Sequence, residues 1–238
     1  MNNNYNRVVF IYDILSQILG KPYRKSKFAF LDRIQSGDQV LYLGGGTGVN
    51  LPFILEKVGD TGKVFYFEAS SRMIEKAKKR VPPKISSRIV YLHQSDFNKI
   101  HREKYDLVLT QYILDILEDR EIHALFYAIN QRTDGDSKWI FLDFFRVKGK
   151  KILLDVMILF FRFLTQNPRK DLPDYGQFFL QYNWGIEEKL SLKKGFIQAW
   201  VLGRREIGTE ELRDGERKGR RDLETKGLRN GETKGRRD

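Results

Sequence analysis

The sequence predicts a doubly wound α/β fold: seven strands in one sheet, mostly parallel, closing on an antiparallel hairpin, with helices on both faces. Three observations predict it. Short runs rich in β-branched and aromatic residues alternate with longer segments at helical spacing from about residue 39 to 144. Such alternation implies parallel strands covered by helices on both sides. Near the end, two further strand-like runs flank the tight turn Lys193-Lys194-Gly195, and a hairpin can only be antiparallel.

The elements follow in order. Residues 5 to 34 carry apolar positions such as Val8, Ile11, Leu15 and Ile18 at helical spacing. Gly20-Lys21-Pro22 interrupts them, and a second helix is expected from Ser26 to Ile34. Ser36-Gly37-Asp38 turns into the first strand, 39–43, and a helix is expected over 48–58 with Pro52 in its first turn. The second strand is 63–68, followed by a helix at 71–80 that Ser70 is placed to cap and Pro82-Pro83 stops. Strands are expected at 88–93, 105–110 and 138–144, with a helix at 119–131. Two helices, 150–164 and 177–184, precede the strands 186–192 and 196–202.

Composition limits the chemistry. The chain has 238 residues and no cysteine, which excludes disulfides, thiolate metal sites and a cysteine nucleophile. That usage, and a start without the basic-then-apolar layout of a signal peptide, suits a cytoplasmic protein. The longest apolar run, 152–164, is interrupted by Asp155 and Arg162 and is shorter than the roughly twenty residues a bilayer requires. Net charge is +12, of which the segment from Arg204 supplies only +3, so the preceding part is itself basic. No aromatic-basic alternation of a strand-binding surface accompanies that charge, and nucleic acid is not the expected partner.

The last 35 residues differ in kind. Gly-Glu-Arg-Lys-Gly-Arg-Arg-Asp at 215–222 returns as Gly-Glu-Thr-Lys-Gly-Arg-Arg-Asp at 231–238, with a related octet between. Such a charged, glycine-rich repeat offers almost nothing to bury and is expected to be disordered. The expected organisation is a helical lid at 1–36, a main domain at 37–203 with a helical insertion at about 147–184, and this tail.

The junction Val40-Leu41-Tyr42-Leu43-Gly44-Gly45-Gly46-Thr47-Gly48 carries the most chemistry. Glycines let a ligand approach the backbone, and a helix starting just after would favour a negative group. The spacing is G-x-G-x-G. A dinucleotide fingerprint would need glycine where Val49 stands, and a P-loop would need Lys and Ser/Thr closing the run. Twenty residues on, the second strand ends in Glu68, a carboxylate suited to accept from ribose hydroxyls at the sheet's carboxyl edge. A bare strand-to-helix turn and a solvated strand terminus are the alternatives.

Loop, acid and strand order together resemble class I S-adenosylmethionine-dependent methyltransferases, closest to the ubiquinone/menaquinone-biosynthesis and small-lipid branch, over about residues 5 to 203. The resemblance implies a Rossmann-like fold with S-adenosyl-L-methionine as cofactor. Gly44, Gly46 and Gly48 would wrap its methionyl part and Glu68 its ribose, while Ala69 and Met73 of Glu68-Ala-Ser-Ser-Arg-Met-Ile74 would line the adenine. Ser95-Asp96-Phe97 is similar to the family's Asp-Ala/Phe pair, placing Asp96 at the adenine amino group and Phe97 beside the ring. Thr110, in the run Tyr105 to Leu114, would face the transferred methyl. Tyr5 and Tyr12, in the opening run that resembles the lid, and Tyr112 would meet the substrate. Tyr42 departs from the pattern: the family usually has Asp or Glu there to hold the cofactor's ammonium end. Backbone carbonyls must then suffice, or affinity falls.

Methyl transfer is an in-line displacement that needs alignment and exclusion of water rather than a metal. No metal-ligand cluster is visible, and His93, His101 and His123 are scattered, so no general base is assigned. The expected acceptor is small and apolar, a quinone precursor or lipid. Tyr5, Tyr12, Tyr112, Phe144 and Phe145 serve equally as pocket or core. Helix 150–164, beside Lys148, Lys150 and Lys151, would cap the acceptor, rest on a membrane surface or pack internally. Two other readings stay open: a nucleic-acid methyltransferase, drawing on the basic charge, and a non-catalytic cofactor-binding domain, drawing on Tyr42.

Overall fold

Alternation decides which way each strand faces. In the computed structural model, which describes residues 20–100, 104–165 and 169–205 (backbone alone for 160–165), seven strands form one sheet in the order β3-β2-β1-β4-β5-β7-β6. They are β1 (Gln39–Leu43), β2 (Lys63–Glu68), β3 (Ile89–His93), β4 (Leu107–Gln111), β5 (Lys138–Phe144), β6 (Trp184–Leu192) and β7 (Ile197–Arg204). The first five pair in parallel, and β7 runs antiparallel between β5 and β6. The helices are α1 (Leu51–Val58), α2 (Ser71–Lys78), α3 (Asp119–Asn130), α4 (Lys151–Thr165) and α5 (Tyr175–Gln181).

Odd positions of the central strands, Leu41, Phe65, Phe67 and Phe141, turn to one face. There they pack on Ile122, Phe126 and Ile129 of α3 and Phe179 of α5. Even positions, Val40, Tyr42, Val64 and Tyr66, meet Leu51, Ile54, Leu55 and Val58 of α1 on the other. Each fully buried large side chain contributes roughly 1.5–3 kcal/mol, so a slip of one residue would expose whole rows. A third cluster gathers Tyr23, Tyr112, Phe144 and Phe196 under Leu154 and Met157 of α4.

The expected elements stand, with local differences. The second N-terminal helix does not run from 26 to 34. Helical residues end at 26, and Phe30 adopts φ 59° before a short 3-10 turn at Leu31–Arg33, which breaks an α-helical path. The last helix starts two residues before Gln177 because Asp174 accepts from the Gln177 N–H at 3.1 Å and caps it there. Strand β6 begins at Trp184, with a bulge between Ile186 and Glu188. The lid opening at Tyr5 to Asp13 and the repeat tail lie outside the described residues.

Candidate cofactor site

Strands β1 and β4 lie side by side while the chain between them builds outward through β2 and β3. Open α/β sheets bind ligands at the carboxyl ends of strands where the order reverses in this way. The glycine loop leaves β1 at that place. Gly44 N–H still donates to Phe67 O at 2.9 Å, extending the β1–β2 ladder by one residue. Gly44, Gly46 and Gly48 then take φ of 63°, 63° and 66°, a region costly for other residues. A Cβ on Gly44 would stand 2.6 Å from Ile113 Cδ1, so the closeness of the loop to the segment after β4 also depends on glycine.

Side chains from β2 hold the loop. Tyr66 donates to Gly46 O at 2.6 Å, and Gly46 N–H donates to Glu68 Oε2 at 3.0 Å. Glu68 Oε1 accepts from Ser70 N–H at 2.9 Å, and Ser70 in turn caps α2 through Met73 N–H. Burial pushes the Glu68 carboxyl up, against the pull of its backbone donors. With Gly46, Ser70 and Ala69 N–H groups donating to it, the carboxylate keeps a lone pair for a ligand hydroxyl.

A cavity opens beside this carboxylate. Gly44, Phe67, Glu68, Ala69, Met73 and Phe97 form one wall, Ile113, Ile116, Leu117 and Glu121 the other, with Gln94 and Ser95 completing it. Phe97 stacks near Phe67 at 5.8 Å between ring centroids. A carboxylate, a tight glycine loop and flat apolar walls suit a ligand with ribose, adenine and a polar end.

The structure thus brings Gly44, Glu68, Ala69, Met73 and Phe97 to one cavity, with Gly46 and Gly48 shaping its loop. It places three other expected residues elsewhere. Asp96 is exposed outside the cavity lining, and its Oδ1 accepts from Asn98 N–H and Nδ2 at 3.0 Å each, capping the turn Phe97–Lys99. Thr110 is packed inside, where Oγ1 accepts from Trp139 Nε1 at 2.8 Å. Tyr112 belongs to the third core cluster: its hydroxyl is 2.6 Å from Ser26 Oγ, and its ring lies 4.6 Å from that of Phe144. Tyr5 and Tyr12 lie outside the described residues.

Sequence reasoning missed Gln94, Ile116, Leu117 and Glu121 as wall residues. Glu121 gave no separate signal because it also serves the α3 capping box, accepting from Glu118 N–H at 2.9 Å.

Tyr42 points away from the cavity into the opposite face. Its hydroxyl is 3.0 Å from both Asn50 Oδ1 and Gln111 Oε1. Asn50 Nδ2 and Gln111 Nε2 both donate to Lys27 O, at 2.9 and 3.0 Å, and Asn50 also donates to Gln111 Oε1 at 3.0 Å. Burial drives the Tyr42 phenol far above its ordinary range, so it stays neutral. The residue that replaces the expected acid holds Asn50 and Gln111, the two amides that bind the Lys27 carbonyl.

The methyltransferase domain family matches residues 40–134. No curated protein matches significantly in sequence. Solved structures do match. A Nostoc punctiforme protein titled as an O-methyltransferase superposes at TM-score 0.61 and 18% identity, over 82% of this chain and 60% of that one. An Aquifex aeolicus SAM-dependent methyltransferase gives 0.54 and 16%, over 79% and 92%. Mitomycin 7-O-methyltransferase gives 0.56 and 17% over 71% of this chain, which spans half of that enzyme's length. With the strand order and the loop geometry above, these matches identify residues 40–134 as a methyltransferase domain on the class I fold of S-adenosylmethionine-dependent methyltransferases.

Proposed function

We propose that this chain transfers a methyl group from S-adenosylmethionine to a small acceptor with an apolar body, such as a quinone precursor or lipid. The observation that carries the reading is Glu68, buried at the cavity wall and already locked to Gly46 and Ser70. Glu68 would accept from the ribose hydroxyls, Ala69, Met73 and Phe97 would bracket the adenine, and the Gly44–Gly48 backbone would surround the methionyl end. Bound there, S-adenosylmethionine supplies a methyl carbon made electrophilic by its sulfonium. The chain's part is to bind, align and exclude water, and the apolar wall of Ile113, Ile116 and Leu117 suits that task. Isothermal calorimetry tests the reading. The wild-type chain should bind both S-adenosylmethionine and S-adenosylhomocysteine, and Glu68→Ala should weaken both by roughly a hundredfold, about 3 kcal/mol. Absence of binding to either ligand overturns it.

One observation favours a peripheral membrane contact as a second element of the reading. Ile152, Val156 and Leu159 on α4 are 81%, 58% and 64% exposed and fall on one helical stripe. Lys148 and Lys151 stand exposed beside it. An apolar stripe edged by lysines fits an anionic bilayer surface, while among the described residues no helix is long and apolar enough to cross one. The chain should co-sediment with phosphatidylcholine vesicles carrying phosphatidylserine, and Ile152→Asp/Val156→Asp should abolish this. Equal sedimentation of the two proteins removes the membrane element.

A further inference from the structure

One wall of the cofactor cavity, formed by Ile113, Ile116, Leu117 and Glu121, is held from a distant part of the chain. Leu117 is the turning point of that wall. The short 3-10 turn Leu114–Ile116 ends at it, Glu118 caps α3 just beyond it, and Glu121 returns to the cavity one turn later. The Leu117 N–H donates to Leu114 O at 3.3 Å. Its carbonyl precedes the α3 cap and lies outside that helix's own bonds. It accepts instead from Arg169 Nε at 2.6 Å.

Arg169 belongs to the segment between α4 and α5, 52 residues further along the chain. Its side chain is only 9% exposed. While Nε holds the Leu117 carbonyl, Nη2 pairs with Asp119 Oδ1, and Nη1 lies 3.8 Å from Asp171 Oδ1. Asp115, between the wall residues Ile113 and Ile116, also feels its charge. One guanidinium therefore grips both sides of Glu118, the residue that caps α3. Its planar fork permits this, because two nitrogens reach two acceptors at once, whereas a lysine presents a single one. A carbonyl left without a donor in so dry a place is costly, so the wall keeps its position only while Arg169 is there.

We propose that Arg169 is a positioning residue for the cofactor, acting through the Leu117 carbonyl, and that it couples cofactor affinity to the segment between α4 and α5. The proposal rests on the methyltransferase reading above and extends it to a residue that does not itself line the cavity. With the wall fixed, Ile116 and Leu117 meet the ligand already in place, and binding carries less ordering cost. The coupling runs both ways: a ligand that fills the cavity steadies the wall and, through Arg169, residues 169–174. Asp119 and Asp171 balance the guanidinium charge without touching the carbonyl. Affinity should therefore follow the bond from Nε and not the ion pair.

Calorimetry with S-adenosylhomocysteine and hydrogen exchange, both on the full chain, test this. Arg169→Gln and Arg169→Lys should each weaken the ligand by roughly tenfold, while Asp119→Asn, which leaves Nε in place, should change affinity by less than about threefold. In the ligand-free protein, amides from Leu114 to Ile122 should exchange roughly tenfold faster in Arg169→Lys than in wild type. S-Adenosylhomocysteine should slow exchange at 169–174 in wild type and not in Arg169→Lys, a transfer that a merely structural arginine would not control. Arg169→Lys decides the matter if Arg169→Gln fails to fold. Wild-type affinity in Arg169→Lys, or an equal loss in Asp119→Asn, overturns the proposal. Protection of 169–174 that survives in Arg169→Lys also overturns it. If wild type binds no S-adenosylhomocysteine, the underlying reading fails instead, and exchange in the ligand-free protein still judges whether Arg169 holds the wall.

Discussion

Two buried polar clusters lie on opposite faces of the same sheet edge, and they are built in opposite ways. Around Tyr42, every neighbouring amide and phenol finds a partner: Asn50, Gln111 and the Lys27 carbonyl close a neutral network with contacts of 2.9–3.0 Å. Around Asp143, a second acid, Asp115, and the Tyr175 phenol crowd one dry place, and burial pushes all three groups towards their neutral forms. A neutral network rigidifies what it joins at any pH, whereas neighbouring buried acids tie stability to their protonation. The first cluster is indifferent to pH, and the second is not.

Substitution separates the two. Asn50→Ala should show the largest loss of stability, about 3 kcal/mol, because it removes both of its donated bonds and leaves a gap beside Tyr42. Urea unfolding monitored by circular dichroism measures this, and a loss below about 1 kcal/mol would mean the network carries little of the fold. Tyr42→Phe should cost about 1 kcal/mol, since Asn50 Oδ1 loses its donor while Gln111 Oε1 keeps Asn50. A matching loss of cofactor affinity in Tyr42→Phe, seen by calorimetry, would instead assign Tyr42 to the site.

Asp143→Asn should change stability at neutral pH by no more than about 0.5 kcal/mol, because the carboxyl it replaces is already held towards its neutral form. The smallest effect is on pH dependence. Asp115 has a folded-state pKa raised from 3.8 to about 7, so its contribution is full below the unfolded value and is lost as pH rises through that window. Thermal melts across it should show wild-type stability declining with pH and Asp115→Asn declining less. Parallel slopes would show that the acid pair is not coupled to folding.

The two clusters also differ in how far the sequence foretold them. Tyr42 stood out because it replaces an acid that the resemblance expects, yet its partners, Asn50 just past the glycine loop and Gln111 at the end of β4, gave no sign of meeting it. Asp115 and Asp143 gave no signal: one follows a strand, the other ends one, and only the sheet order makes them neighbours. The loop and Glu68 were legible because both flank strands that pair directly and their roles depend on local backbone geometry. The resemblance put Thr110 at the transferred methyl and Tyr112 at the substrate, but Trp139 and Ser26 hold them inside. Contacts of that kind depend on elements brought together by packing.

Local physics therefore determined the alternation of elements, the glycine loop and the carboxylate that follows it, because period, φ preference and strand ends are properties of adjacent residues. Tertiary structure alone decided which side chains face the cavity, where Tyr42 is anchored, and that two acids some thirty residues apart in sequence share one buried place. Burial supplied the reason in each case: desolvation forces polar groups to pair with whatever the fold brings near, or holds acids in their neutral forms.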